Sequence, residues 1–304
     1  MKKNARIILT LLLCAAARAG NCANVAGTGA AAFLKLPVDA RSAGMGEAVA
    51  AGPRGAMALF QNPAGLAENT VPEIAFSHAL LMEDISYEVM CLAVPLHGNS
   101  VIGVGAQYLR YGSFASLDNN GVPAGSLSPR DSAFVLGYGL KLDEDVMVGG
   151  AVKSISSKIS GTASGAAMDL GLLITGDEVS AGITAQNMGK GLKFDKESSP
   201  LPVNVKLGVM IPYQEKWHWA ADFNFPKDGP AWLAAGAEYA FVLKAATLFG
   251  RAGYNTAAVD TKSVNGISAG FGFVRKGLTV DYAFRTMGVL GSTHHLGFTY
   301  RLGK

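Results

Sequence analysis

The sequence predicts an all-β fold, a transmembrane antiparallel β-barrel of about fourteen strands of the outer-membrane type, with an N-terminal plug of short helices and loops. Three observations lead there. From residue 73 onward, segments of about ten residues alternate apolar with polar or small side chains, the period of a strand whose two faces differ. Short and longer connections between those segments largely take turns, which sorts tight turns to one rim and loops to the other. Mean hydropathy is positive, +0.25, yet no stretch beyond the leader is long and apolar enough for a membrane helix; a barrel, with alternate residues facing lipid, produces that combination.

The chain opens as an exported protein. Lys2, Lys3 and Arg6 form a positive n-region, Ile7 to Ala17 a short apolar core, and Ala17-Arg18-Ala19 an A-x-A cleavage site, so residues 1–19 read as a signal peptide. The apolar run falls far short of the roughly 20 residues of a membrane anchor. Asn21 before Cys22 is a poor lipobox residue, so lipidation is not expected. The whole chain carries 26 basic and 23 acidic residues; four of the basic ones (Lys2, Lys3, Arg6, Arg18) lie in the leader, leaving 22 against 23, a net charge of −1. The apparent basicity belongs to the export signal, and nucleic acid has no support as a partner. Cys22 and Cys91 remain after cleavage, one potential pair and no disulfide framework.

Residues 20–72 read as the plug. Ala26 to Ala67 is dominated by small residues, so its backbone can pack close to surrounding walls. Gly55 to Gln61 predicts a short helix, ended because Pro63 pushes Asn62 out of the α region. Asn62 then caps a new turn with Pro63 at its first position, where a missing N–H costs nothing.

Residues 73–304 read as the barrel. In Val203 to Ile211 the residues Val203, Val205, Leu207, Val209 and Ile211 oppose Asn204, Lys206, Gly208 and Met210. Trp217, Trp219, Ala221, Phe223 and Phe225 oppose His218, Ala220, Asp222 and Asn224. Leu278, Val280, Tyr282 and Phe284 oppose Thr279, Asp281, Ala283 and Arg285. Leu296, Phe298, Tyr300 and Leu302 oppose His295, Gly297, Thr299 and Arg301. Short turns centre on His97-Gly98-Asn99, Asp143-Glu144-Asp145, Gly176-Asp177-Glu178, Gln214-Glu215-Lys216, Leu243-Lys244 and Lys276-Gly277. Longer loops are Tyr111 to Arg130, Lys158 to Gly165, Asn187 to Leu201, Asn255 to Asn265 and Thr286 to Ser292; Pro226 to Pro230 is short where a long one is expected. Lipid-exposed backbone must be fully hydrogen-bonded, which forces closure. Lys206, Asp222, Glu238, Arg251, Asp281 and Arg285 then become lumen charges. Tyr87, Trp217, Trp219, Tyr239, Tyr254, Tyr282 and Tyr300 are candidates for an interfacial aromatic girdle.

Signals for chemistry are few. Gly27-Thr28-Gly29-Ala30-Ala31-Ala32 fits the letters of a dinucleotide fingerprint but follows no strand and sits in no βαβ unit. His294 and His295 are strand neighbours and point to opposite faces, one inward and one at the rim, a poor arrangement for one metal. G-x-S-x-G, H-E-x-x-H and paired-cysteine motifs are absent from the sequence, so a barrel esterase has no visible nucleophile–base pair. The expectation is a protein without catalytic residues, metal or cofactor. Lys35 and Arg41 are potential partners for inward carboxylates such as Asp222 or Asp281.

The opening segment carries a resemblance. Gly27 to Leu36, Ala40-Arg41-Ser42-Ala43-Gly44-Met45-Gly46 and Asn62-Pro63-Ala64-Gly65-Leu66-Ala67 resemble the N-terminal signature of the PorV/PorQ family, with support from Asp281-Tyr282-Ala283-Phe284 and Gly291 to Leu302. That family belongs to the outer-membrane barrels similar to the long-chain fatty-acid transporter FadL, which share an NPAG-type element. The resemblance implies a non-enzymatic outer-membrane component that binds exported cargo and secretion-system subunits in type IX secretion. The alternative it implies is a transporter similar to FadL, taking up a hydrophobic small molecule, a long-chain fatty acid or hydrocarbon, through a kink in the wall opened by plug rearrangement. Phe33, Lys35, Arg41, Gly44, Gly46, Asn62, Pro63 and Gly65 are the plug and gate candidates, and membrane lipid is the partner under either reading.

Overall fold

The computed structural model describes residues 29–303, except 83, 119, 160, 195–196, 215, 258–265 and 289–290. The expected export leader, Cys22 and the first two residues of the Gly27 to Leu36 motif lie outside the described residues.

In chain order the strands are β1 (Glu73–Leu80), β2 (Ser86–Pro95), β3 (Ser100–Arg110), β4 (Phe114–Leu117), β5 (Pro123–Leu127), β6 (Arg130–Lys141), β7 (Val146–Lys158), β8 (Thr162–Ile174), β9 (Ser180–Gly189), β10 (Leu192–Phe194), β11 (Glu197–Ser199), β12 (Asn204–Tyr213), β13 (Trp217–Pro226), β14 (Trp232–Val242), β15 (Thr247–Asn255), β16 (Ile267–Arg275), β17 (Leu278–Thr286) and β18 (Ser292–Arg301). Among the described residues, fourteen of them close into one antiparallel barrel, each beside its chain neighbour. The remaining four make two hairpins, β4–β5 and β10–β11, inside the connections 111–129 and 190–203. Those hairpins are absent from the sequence reading because strands of three to five residues carry too little alternation to register.

The first and last strands close the barrel, with Glu73 opposite Arg301 and Leu80 opposite His294. Arg301 donates to Glu73 at 2.7 Å, and the other Glu73 oxygen accepts from the plug's Ala56 N–H at 2.7 Å. One carboxylate thus joins both edges of the seam to the plug. Glu73→Gln is expected to lower stability by ~1–3 kcal/mol, the worth of a charge-assisted hydrogen bond, read as an earlier urea midpoint for the detergent-solubilised barrel.

The outer wall is greasy. Val104 and Phe134, on the paired strands β3 and β6, are 51% and 68% exposed, and Phe271 of β16, well away around the barrel, is 57% exposed. A belt of that kind is a lipid-facing surface, since a water-soluble protein does not leave so much apolar area uncovered. Near the rim of short turns the outer face carries Trp217 stacked on Trp219, with ring centroids 5.3 Å apart, and Tyr239 4.6 Å from Trp217.

Two expectations are corrected. The connection read as a loop from Lys158 to Gly165 spans just 159–161, because β7 and β8 pair continuously from Lys158 opposite Thr162 through Ile155 opposite Gly165. The small residues there imitate loop composition, yet Ala163 and Ala167 face the lumen as strand residues do. Tyr87 does not belong to an outer girdle. It is 1% exposed, points inward, and accepts from Gln107 Nε2 at 2.7 Å.

Candidate functional site

The plug fills the barrel, and its irregular path follows from its punctuation. Ala32–Lys35 is a 3₁₀ turn entered through Ala31 in the left-handed region. Helix α1 (Ala40–Gly44) is capped by Asp39, whose Oδ1 accepts from Ser42 N–H at 2.6 Å while Ser42 Oγ accepts from Asp39 N–H. This is a reciprocal capping box. Helix α2 (Ala58–Gln61) begins three residues later than the predicted Gly55 start, because Gly55 has φ 63° and lies in the turn before it. Asn62 is extended, caps the following 3₁₀ turn (Pro63–Glu68) through Ala64 N–H, and has Pro63 at the first position. Its amide also donates to Ala50 O at 2.8 Å and to Leu172 O of β8 at 3.2 Å. One asparagine therefore ties two arms of the plug to the wall.

Glycine and alanine permit that fit. A Cβ on Gly44 would lie 3.4 Å from Gly270 Cα, and one on Gly65 3.2 Å from Ala58 Cβ. Gly46 and Glu47 follow one another with φ 64° and 73°, a turn that presses Gly46 against β14 and β15; a Cβ there would stand 2.6 Å from Tyr254 N. Phe33 is buried among the apolar residues at the loop rim.

The lumen divides into two sectors. Facing β12–β18, the plug is held by charge. Glu238, fully buried, meets three guanidiniums: Arg251 at 2.7 Å, Arg54 at 2.9 Å and Arg41 at 3.2 Å. Arg251 also pairs with Asp281 at 2.6 Å, and Arg41 donates to Gly52 O at 2.8 Å. Arg54 is drawn down to about 10, first by the Arg41 guanidinium beside it and then by burial. Asp222 accepts from the N–H groups of Val49 and Ala50 at 2.9 and 2.8 Å. Arg285 pairs with Glu47 at 2.6 Å. Lys206 lines a loop-side pocket of about 70 Å³ with Leu36, Val38, Val49, Phe60 and Trp232. A second cavity, of about 210 Å³, is lined by Asp39, Arg41, Arg54, Glu73, Arg251 and Asp281.

The expected partners of the plug cations therefore change. Arg41 pairs with Glu238, and Lys35 with Asp228 in the connection after β13 at 2.9 Å. Asp222 is occupied by plug N–H groups and Asp281 by Arg251. Asp281 and Arg285 share a strand face but serve different partners. His295 is buried inside, and His294 points outward, its Nδ1 2.8 Å from Tyr282 Oη.

Facing β1–β8, the plug meets mainly apolar side chains. Val89, Cys91 and Ala93 of β2, Val101 and Leu109 of β3, and Ile155 of β7 join Phe33, Met57, Leu59, Phe60 and Leu66 of the plug in one buried cluster, topped by Leu192 and Leu201. Sequence reasoning missed this sector, since apolar or small residues on both faces of these strands hide which side is inward. It also missed Lys153 and Asp169, buried partners at 2.7 Å where β9 bulges opposite β8. Asn187, with φ 59°, accepts from Lys153 and donates its backbone N–H to Asp169, both at 2.7 Å. The same bulge turns Gln186 inward, where it donates to Phe60 O and Gln61 O. The inward phase of Lys153 and Asp169 was legible from their lipid-facing neighbours Val152, Met168 and Leu170.

Solved structures with this architecture include the monoaromatic hydrocarbon channel CymD (TM-score 0.59, 12% identity, 88% of this chain and 98% of that one). Others are a Pseudomonas aeruginosa FadL homologue (0.58, 12%, 88% and 99%) and the Pseudomonas putida toluene transporter TodX (0.57, 15%, 85% and 95%). No protein-family model and no curated protein matches the sequence. At such identities the likeness is one of fold alone, here a closed fourteen-stranded barrel.

Proposed function

We propose that this chain is an outer-membrane channel for small hydrophobic molecules, closed at rest by its plug and acting without catalysis. The observation that carries the reading is the apolar sector of the lumen, a greasy strip running from Leu192 and Leu201 past Val89 and Cys91 to Leu59 and Leu66. A pore for ions or sugars gains nothing from such a strip, because a hydrated solute forfeits its water there. A hydrophobic solute finds a surface like its own. The likeness in fold to a toluene transporter and a monoaromatic hydrocarbon channel supports the same choice. The membrane assignment rests on the lipid-facing belt and on the expected export leader. The secretion role implied by the PorV/PorQ resemblance rests on the opening motifs, with support from Asp281-Tyr282-Ala283-Phe284 and Gly291 to Leu302.

The test is uptake of radiolabelled toluene by cells that carry the folded barrel in their outer membrane. Uptake about tenfold above vector-only cells is expected if passage through the wall limits the rate. Vector-level uptake with folded barrel present would overturn the reading, and recovery of the barrel with the C-terminal domain of an exported protein would favour secretion instead.

A further inference from the structure

The plug's polar anchors are distributed unevenly. They run to β1 (Glu73), β8 (Leu172 O), β9 (Gln186), β13 (Asp222), β14 (Glu238), β15 (Asn255), β16 (Ser268) and β17 (Arg285). The plug is also continuous in chain with β1. Among the described residues, no ion pair joins the plug to β2, β3, β6 or β7, and the one polar contact there is the weak approach of Cys91 Sγ to Met57 Sδ at 3.6 Å. On that side α2 rests on bare backbone. A Cβ on Gly105 would stand 2.6 Å from Phe60 Cζ, one on Gly103 3.3 Å from Leu59 Cδ1, and Leu59 likewise covers Gly137.

We infer that the plug pivots on the charged wall and parts from β2, β3, β6 and β7, so that a hydrophobic molecule passes between α2 and those four strands. The inference rests on the channel reading and adds the route and its selectivity. Separating α2 from this wall breaks apolar contacts and no ion pair. An apolar guest restores those contacts as it enters, whereas water or a polar solute does not, and an apolar gap stays dry. The opposite wall cannot part without stranding Glu238, Arg251 and Asp222 away from their partners, a cost that a hydrophobic guest has no means to offset. Opening on one side is thus coupled to the nature of the cargo.

Two cross-links in a Cys22→Ser background separate the sides. Met57→Cys beside native Cys91 ties the plug to β2. Ala40→Cys with Gly297→Cys ties α1 to β18, where the Cβ positions lie 3.7 Å apart, within the usual disulfide range. With both proteins folded, oxidation of the first is expected to cut toluene uptake about tenfold and reduction to restore it. Oxidation of the second should leave uptake within about twofold of the reduced form. Equal loss in both, or loss in the second alone, overturns the route. Wild-type protein that takes up no toluene counts against the channel reading instead. The pivot is then read from labelling of Cys91 by N-phenylmaleimide in the oxidised Ala40→Cys/Gly297→Cys protein: continued labelling supports it, and abolished labelling overturns it.

Discussion

Glu238→Ala is expected to destabilise the plugged barrel by ~3–5 kcal/mol, the cost of breaking a buried charge cluster from one side. The carboxylate is fully buried and is the shared partner of Arg41 and Arg54 from the plug and Arg251 from β15. Without it Arg251 keeps Asp281 and Arg41 keeps Gly52 O, but three guanidiniums face one another with no anion between them. Arg54 already feels that crowding, since Arg41 heads the causes that hold it down to about 10 with Glu238 in place. Its salt bridge to Glu238 is the contact it has most to lose.

The expected ordering discriminates the cause. Glu238→Gln keeps acceptor geometry and loses charge, so it should fall between wild type and Glu238→Ala. Adding Arg54→Ala to Glu238→Ala removes one stranded cation and should recover part of the loss, a non-additivity expected where side chains share a network. Urea midpoints of detergent-solubilised protein give the ordering, and protease nicking of the plug locates the damage. If the double variant is weaker than Glu238→Ala by the full effect of Arg54→Ala, the three guanidiniums do not act through Glu238.

How much of this was legible depends on where periodicity reaches. The strands from Val203 to Arg301 alternate cleanly because their inner face meets charged plug residues and their outer face meets lipid, so the two faces differ in chemistry. In β2 both faces are apolar: Met90 and Leu92 face lipid while Val89, Cys91 and Ala93 face the plug. Alternation there carries no information about which side is inside, and Tyr87 was misplaced for that reason. The partners of Arg41 and Lys35 were beyond reach for another reason. They depend on the path of the plug, set by left-handed turns at Ala31, Gly46, Glu47 and Gly55 that leave no periodic trace. The stop at Asn62–Pro63 was legible because it is a local steric rule. The excess of glycine was visible too, but which glycines face the plug follows from the fold alone.

Those plug-facing glycines give the second large effect. Gly253→Val is expected to leave the barrel closed and to unseat the plug. Gly253 and Gly236 of β15 and β14 sit against Met45 and Gly46, backbone on backbone: a Cβ on Gly253 would overlap Gly46 N and Met45 C and stand 2.7 Å from Ser268 Oγ, and one on Gly236 would overlap Met45 O and stand 3.0 Å from Met45 Cα. Side chains can rotate away from an added methyl group, but a main chain held by Ser268 and Asn255 at Gly44 O and Gly46 O cannot do so without moving the plug. The strand itself has no objection, since valine suits an extended backbone and Gly253 does not adopt positive φ. Overpacking of this kind costs ~1–3 kcal/mol or more, and here it falls on the seat of the plug and not on the ladder. Gly150→Ala is the matched control: its Cβ meets nothing nearer than 3.6 Å, so its effect should stay within about 0.5 kcal/mol. Planar-bilayer recordings distinguish the two, with raised ion conductance for Gly253→Val and wild-type conductance for Gly150→Ala. A Gly253→Val barrel that stays as tight as wild type, with its plug equally protected from protease, would mean that the wall yields there in place of the plug, and that the close seating of Met45 and Gly46 on β14 and β15 does not hold the lumen shut.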